Sequence, residues 1–376
     1  MATPRITPIS PDAPLLEKLM TYTPVVLTVV ATLLAGLSSS EMTAAQYFRS
    51  SAAQAQSKAG DQWSLFQTKR SRAINMNTTQ DLLWGLGETP SADPAETAAT
   101  LQDLTNQLKK VQQLATRIGV PAAALVEDLR AADRAVAALQ TALHPATSMP
   151  SATAPAATPV EPLLQATLQA ISDRAPEEEI RARAAQVDAA AFSQAVTQGE
   201  NAVQAAEQAT APLRKELNAA NRTLEQSLTS VRLSVRRARD VSALLLDGTT
   251  PATAGERELS DQLALASTRL QTAAEAVGRG FLWSKLRTNA AIYDREALSN
   301  LSLAQLYEVA VRRADAASER HRTRAQRFFM GMLAAQAGVL IASFSLAVRK
   351  RSILWSLAST AGIAAILFGA YVYLYV

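Results

Sequence analysis

The chain has 376 residues, of which 48% are hydrophobic and only 5% aromatic, and its formal net charge is +4. Ala, Leu and Val dominate the apolar residues, and Gln, Arg and Glu separate them. This composition is typical of long helices and coiled coils, and it argues against a β-sandwich or a doubly wound sheet. Cysteine is absent, which excludes disulfides, thiolate metal ligands and cysteine nucleophiles.

Residues 1–18 are rich in proline and are predicted to form an irregular N-terminal tail. The next 22 residues, 19–40, carry no charge and are long enough to cross a hydrocarbon core of about 30 Å as a helix. No convincing cleavage site follows, so the sequence favours a retained membrane helix over a cleaved signal peptide.

Helical signals continue on the far side of this first membrane helix. Residues 41–77 contain no proline and one glycine, which predicts a helix that runs out of the bilayer. After a turn at 86–90, the sequence D-P-A-E at 93–96 predicts a capping box. Apolar residues spaced alternately by three and four then predict two seams for knobs-into-holes packing, at Leu101–Ile118 and Leu125–Leu143.

Residues 144–162 contain five of the 16 prolines, together with Ala and Thr, and are predicted to form a linker or tip. One long helix is predicted around Leu213–Leu245. A second capping box follows at Thr253–Glu256. Between Phe281 and Arg327 there is neither proline nor glycine, so this segment is predicted to continue as a helix into the membrane.

Two further uncharged stretches, 328–348 and 352–376, have 21 and 25 residues and predict the second and third membrane helices. Only Arg349-Lys350-Arg351 separates them, which indicates a tight antiparallel hairpin. The 287 residues at 41–327 are therefore predicted to form one extramembrane domain. The predicted fold class is all-α, with three transmembrane helices and a long stalk built as a helical bundle or coiled coil.

A polar and aromatic motif, D-Q-W-S-L-F-Q-T-K, occupies residues 61–69. Its aromatic residues favour a packing anchor, and a polar–aromatic binding site is the alternative. If the first and last stalk helices run straight and antiparallel, the motif lies at the height of an apolar patch around residue 305. We therefore predict a structural clamp that joins Trp63, Phe66 and Gln67 to Leu303, Leu306 and Tyr307.

The order of these features resembles a known family. The motif D-Q-W-x-x-[FY]-Q-x-K follows the first membrane helix, and a basic helix with His321 leads into the hairpin, where Trp355 follows the basic turn. This arrangement resembles an uncharacterised family of bacterial membrane proteins, classed as a domain of unknown function. The resemblance covers about residues 19–83 and 285–376. It implies a bacterial membrane protein with a helical domain, and it carries over no activity.

The segment 312–327 holds six arginines and two acidic residues, a local charge of +4 that equals the charge of the whole chain. Beside a membrane helix, this favours contact with anionic headgroups over ion pairing along the helix. Nucleic-acid binding is disfavoured because no interleaved aromatic residues or known module are present. The residues predicted to contact headgroups are Arg320, Arg322, Arg324, Arg327, Arg349, Lys350 and Arg351.

Small residues recur at four-residue spacing in the second and third membrane helices, among them Gly338, Gly362 and Gly369, and they predict close helix packing. Gln336 is predicted to form an interhelical hydrogen bond, with a place on a transport path as the alternative. Conduction would be better supported by an intramembrane carboxylate, which the sequence lacks.

The two histidines, His144 and His321, are far apart and have no neighbouring ligands in the sequence. No P-loop, H-E-x-x-H or C-x-x-C motif occurs, so no catalytic, cofactor-binding or metal site is predicted. The protein is expected to be a non-enzymatic, membrane-anchored scaffold. It would self-associate, contact anionic lipids and present its stalk to an unidentified protein partner.

The main alternative is an oligomeric channel or transport component, and a third is a receptor whose stalk relays a helix shift. A bacterial inner membrane is the expected location. The basic turn at 349–351 is expected in the cytoplasm, which favours a periplasmic over a cytoplasmic domain.

Overall fold

A computed structural model describes residues 15–85, 94–146, 161–246, 253–347 and 351–375. Within these ranges every regular element is helical, which confirms the predicted all-α fold class. A 3₁₀ turn, Val120–Ala122, connects two of the helices. The α-helices of the described residues are α1 Leu15–Gly85, α2 Pro94–Ile118, α3 Ala123–Ala146, α4 Pro162–Ser172, α5 Glu177–Gln186, α6 Ala189–Leu246, α7 Ala254–Ala347 and α8 Arg351–Tyr375.

Several sequence predictions fall wholly or partly outside the described residues. These are most of the N-terminal tail, the turn at 86–90, the first capping box, most of the linker and two residues of the basic turn. Where the tail is described, α1 begins at Leu15, so residues 15–18 are helical rather than irregular. The helix predicted from Phe281 begins earlier, at Ala254.

The capping box at the start of α7 is present. Both the backbone N–H and the hydroxyl of Thr253 donate to Glu256 Oε2, at 2.8 and 3.0 Å, and the Glu256 N–H donates back to Thr253 Oγ1 at 3.3 Å. The reciprocal bonds satisfy helix-end groups that would otherwise lack partners. The two bonds from Thr253 also lower the pKa of the Glu256 carboxyl.

Gly119 produces the break between α2 and α3. Its φ of 83° lies in the left-handed region that a glycine adopts without strain, and its N–H donates to the Ala115 carbonyl at 3.3 Å. Pro121 then lies in the 3₁₀ turn, where its missing N–H is tolerated. The helical seam predicted from the sequence is therefore interrupted for one turn and resumes in α3.

The chain divides into two compact units. The first unit comprises Met1–Gly60, Val160–Ala195 and Ala304–Val376, and the second comprises Asp61–Pro159 and Val196–Leu303. Three of the described helices, α1, α7 and α8, are long and apolar enough to cross a membrane.

Within the first unit, α1 and α7 run antiparallel. The Ser38 hydroxyl donates to the Ala325 carbonyl at 2.9 Å, and the Ser318 hydroxyl donates to the Ala45 carbonyl at 2.9 Å. The partner on α7 thus moves back seven residues while the partner on α1 advances seven. Two turns on each helix are matched in this way, as expected for neighbouring antiparallel helices.

The second unit has one large apolar core, to which α2, α3, α6 and α7 all contribute. Leu104 and Leu129 of the predicted seams are fully buried, and so are Val231 and Leu270 of the longer helices. The described residues of the seams at Leu101–Ile118 and Leu125–Leu143 pack into this core, so helices of the same chain cover them.

Candidate functional site: a buried carboxylate in the second unit

Glu296 is the most buried charged side chain among the described residues of the second unit. It lies on α7 and is only 2% exposed. Arg214 of α6 donates from Nη2 to both carboxylate oxygens at 2.8 Å, and the hydroxyl of Thr210, one turn earlier on α6, donates to Oε1. Charge-assisted bonds of this kind compensate for the loss of water around a buried carboxylate.

A third helix contributes the last residue of the motif at 61–69. Lys69 of α1 is 12% exposed and places Nζ 3.3 Å from Glu296 Oε2 and 3.0 Å from Glu207 Oε1. It therefore lies between a buried carboxylate and a half-exposed one. We call Glu296, Arg214, Thr210 and Lys69 the Glu296 centre, in which α1, α6 and α7 meet around one negative charge.

Aromatic and charged residues extend the Glu296 centre at its edge. The guanidinium of Arg214 lies 4.8 Å from the centroid of the Tyr293 ring, and the guanidinium of Arg72 lies 5.6 Å from the same centroid. Arg70 forms an ion pair with Asp294 at 2.6 Å. The ring lies against delocalised cations on two helices, a favourable cation–π arrangement.

The Glu296 centre has the chemistry of a structural tie. Both oxygens of Glu296 accept charge-assisted hydrogen bonds, and the carboxylate is shielded from water. Removing one member of a buried ion pair typically destabilises a protein by about 3–5 kcal/mol, because a charge is left without compensation. The three helices are therefore held in one register by the centre.

Sequence reasoning placed Lys69 in a motif but missed Glu296, Arg214 and Thr210. One signal was present: Glu296 stands on the same stripe of α7 as Ile292 and Leu303, both of which are buried. A single carboxylate on an apolar stripe predicts a buried partner, but nothing in the sequence says which of many arginines supplies it.

The predicted clamp residues have different environments. The Trp63 and Phe66 rings are half-buried and meet edge to face, with centroids 5.5 Å apart, whereas Gln67 is exposed. The three residues expected to receive them, Leu303, Leu306 and Tyr307, are all buried. The clamp between the two groups stays a prediction.

In the first unit, His321 has a partner that the sequence analysis did not find. Its Nδ1 lies 2.5 Å from Glu41 Oε2, and its ring stacks on Phe48 with centroids 5.3 Å apart and an angle of 8° between the planes. The side chain of His144 lies outside the described part of the chain. Among the residues that the structure describes, no group of three or more potential ligands could hold a metal ion.

Two leucines of α1 pack directly against glycines of α7 and α8. Leu27 lies where a Cβ on Gly362 would be, and it would also be 3.2 Å from a Cβ on Gly338. Leu34 would be 2.8 Å from a Cβ on Gly369. Gln336 is exposed and does not face these contacts.

The basic segment separates into two parts. Arg312 pairs with Glu177 at 3.1 Å, and the guanidinium of Arg313 lies 5.0 Å from the centroid of the Phe192 ring. Burial lowers the pKa of Arg313, while the nearby carboxylates of Asp188 and Glu161 act in the opposite direction. These two arginines are therefore engaged by the protein itself.

The predicted headgroup residues lie closer to the second apolar stretch. Arg320 and Arg322 are exposed, and Arg322 approaches Glu319 at 3.8 Å. Arg324 and Arg327 are half-buried, and Arg324 Nε has no hydrogen-bond partner among the described residues. Arg349, Lys350 and the side chain of Arg351 lie outside the described part.

Fold and contacts together define an all-α protein with three helices able to cross a membrane. Residues 16–154 match the model of a protein family described as "Domain of unknown function (DUF4337)". This match supports the resemblance to an uncharacterised family. It extends past the expected 19–83 through α2 and α3, and it does not include 285–376. No curated protein and no solved structure matches the chain.

Proposed function

We propose that this protein is a non-enzymatic scaffold of the bacterial inner membrane, which self-associates and presents a helical stalk to partner proteins. The observation that carries the proposal is the Glu296 centre. Its Lys69 belongs to the most distinctive motif of the chain, and this lysine is used to tie helices together. Because a residue of this motif helps to hold three helices in a fixed register, the motif supports a mechanical role for the protein.

The burial of Glu296 favours a structural role over catalysis. A catalytic carboxylate needs access to substrate and a free lone pair directed at it. Glu296 is buried, and both of its carboxylate oxygens already accept hydrogen bonds from Arg214. His321 and Glu41 form a further pair of titratable groups, which is half-buried, and the His321 ring stacks on Phe48.

The arginines near the membrane stretch support a contact with anionic lipid. Arg320 and Arg322 are exposed within about two turns of Phe328, where the second apolar stretch begins. Each basic residue near an anionic surface contributes about 1 kcal/mol of attraction. A cytoplasmic basic turn at 349–351 places the large domain in the periplasm in this proposal.

Particle size and shape test the proposal directly. The full chain is extracted in mild detergent and reconstituted into nanodiscs. Native mass spectrometry then measures its mass in both media, and cryo-EM class averages show its shape. A scaffold gives an oligomer that forms a solid bundle or an open array. A monomeric mass in both media contradicts self-association, and a closed ring around a polar lumen contradicts the scaffold in favour of a channel.

A further inference from the structure

One face of α7 carries an exposed seam inside the second apolar stretch. The seam positions follow each other at intervals of four, three, four and three residues, the heptad spacing of a left-handed coiled coil. All five are exposed, although α1 and α8 pack against other faces of the same helix. The residues of this Gln336 seam are Phe329, Leu333, Gln336, Leu340 and Ser343.

Gln336 is the unusual member of the seam. It is the only amide in the three uncharged stretches, and it lies eight residues beyond Phe328, about 12 Å into a hydrocarbon core of about 30 Å. Lipid tails offer no hydrogen bonds, so an amide exposed to them is strongly disfavoured. Among the described residues, none forms a hydrogen bond with the Gln336 side chain.

We propose that the Gln336 seam binds the same seam of a second copy of this chain, with the Gln336 amides hydrogen-bonded to each other across the interface. This inference deepens the proposed function and rests on its self-association. It names the surface that mediates association within the membrane.

Membrane topology fixes the orientation in which another copy would meet the seam. All copies cross the bilayer in the same direction, so two α7 helices that meet along this seam are parallel. In a parallel heptad pairing, each seam residue faces its own equivalent. An amide is both donor and acceptor, so Gln336 can satisfy Gln336. Phe329, Leu333 and Leu340 are 46%, 43% and 63% exposed and would pack in the layers around it.

Because the chain contains no cysteine, single cysteines report one position at a time. Leu340→Cys places a thiol on the seam, where parallel pairing brings the two Cα atoms within disulfide range. Leu357→Cys is the matched control. Leu357 is 55% exposed on α8, and the carbonyl of its neighbour Ala358 lies 3.4 Å from the Cβ position of Gly338, so its depth is similar.

The experiment is oxidative crosslinking of both full-length variants in nanodiscs or native membranes. We expect the crosslinked fraction of L340C to exceed that of L357C at least about fivefold. Adding Gln336→Leu to L340C should weaken association about tenfold, and Gln336→Asn should retain most of it. Gln336→Leu replaces the amide by an apolar side chain at a position that faces lipid in the monomer. It therefore does not threaten folding of the monomer.

Four outcomes overturn the inference. Equal crosslinking at both positions means random collision, and unchanged association of the Gln336→Leu variant means that the amide does not drive pairing. Absence of the L340C crosslink while the mass remains oligomeric rejects the seam but retains the proposed scaffold, which would associate through another surface. A monomeric mass rejects both proposals together.

Discussion

At the scale of single residues, the Glu296 centre joins three helices of the second unit, α1, α6 and α7. Glu296 is 2% exposed, whereas its partners Lys69 and Arg214 are 12% and 37% exposed. Each partner can therefore reach some water, but Glu296 cannot. The stability of the centre consequently depends most on the carboxylate and on the hydrogen bonds it accepts.

The first prediction is that Glu296→Gln destabilises the protein by about 2–4 kcal/mol. The amide has the same size but leaves Lys69 and Arg214 facing each other without the negative charge between them, and their partial exposure moderates the cost. Thermal unfolding followed by circular dichroism in mild detergent measures the effect.

Glu207→Gln is the control for this prediction. Glu207 also pairs with Lys69, but it is 54% exposed, and exposed pairs contribute about 0–1 kcal/mol. If the two variants unfold at the same temperature, Glu296 is not the centre of a structural tie.

A second prediction concerns pH at the start of α7. Because Thr253 lowers the pKa of Glu256 below its ordinary value of 4.5, the ionised carboxylate stabilises the folded helix end. This stabilisation is fully present above pH 4.5 and is lost as the pH falls through the lowered folded-state pKa. Hydrogen-exchange protection of the Glu256 amide, corrected for intrinsic rates, should therefore decrease over that acidic range.

Glu256→Gln supplies the control for the pH dependence. A glutamine can still accept from Thr253 but does not titrate, so its protection should be nearly constant over the same range. An equal loss of protection in this variant would mean that another group unfolds this end of the helix at low pH.

At the scale of whole helices, the membrane stretches pack by fitting leucines of α1 against glycines of α7 and α8. Leu27 is 4% exposed and Leu34 is 5% exposed, although both lie in a stretch whose other large residues are mostly exposed. Close approach of this kind uses the small residues of the hairpin as the contact surface. The packing therefore depends on the absence of a Cβ at a few positions.

The third prediction is that Gly362→Ala weakens the association of α1 with the hairpin, by about 1–3 kcal/mol. The new methyl group would overlap Leu27, which cannot move freely because its other methyl lies 3.2 Å from the Cβ position of Gly338. Gly36→Ala is the control, since nothing lies within 4 Å of that Cβ position. Unfolding in mixed micelles measures both.

A compensating change sharpens this prediction. Leu27→Ala removes the overlapping side chain, so the double variant with Gly362→Ala should lose less stability than the sum of the two single variants. Additive losses would show that Gly362 and Leu27 do not compete for the same space.

At the scale of the whole molecule, the fourth prediction is a periplasmic domain. Ser172 is exposed at the end of α4, and Ser172→Cys should react with a membrane-impermeant maleimide in intact cells. Lys350→Cys, in the basic turn of the hairpin, should react only after the cells are permeabilised. The reverse pattern would place the large domain in the cytoplasm.

Much of the fold could be predicted from local features. Uncharged stretches of 22, 21 and 25 residues predicted the helices able to cross a membrane, since length and hydropathy are properties of consecutive residues. The spacing of apolar residues predicted helices at 101–118 and 125–143 for the same reason. The spacing of apolar residues does not indicate which helix packs against a seam. Only the tertiary structure shows that α6 and α7 of the same chain cover these helices.

The Glu296 centre could not be predicted from the sequence because its members are far apart in the chain. Lys69 and Glu296 are 227 positions apart, and Arg214 lies on a third helix. The sequence contains 37 Lys and Arg residues and 33 Asp and Glu residues, and it does not indicate which of them form ion pairs. The pairs are defined only when the helices are placed in register. Gln336 is a contrasting case: its place within the second apolar stretch follows from the sequence, but its exposure depends on which faces of α7 are covered by α1 and α8.

The sequence by itself determined the helical character, the three apolar stretches and the basic segment beside the second of them, because each depends on neighbours along one chain. The tertiary structure alone decided which faces of those helices are covered and which remain exposed. It brought Glu296 to Lys69 and Leu27 to Gly362, and it left Gln336 on the outside. Such contacts depend on the relative rotation and register of helices, which residue spacing within one helix does not specify.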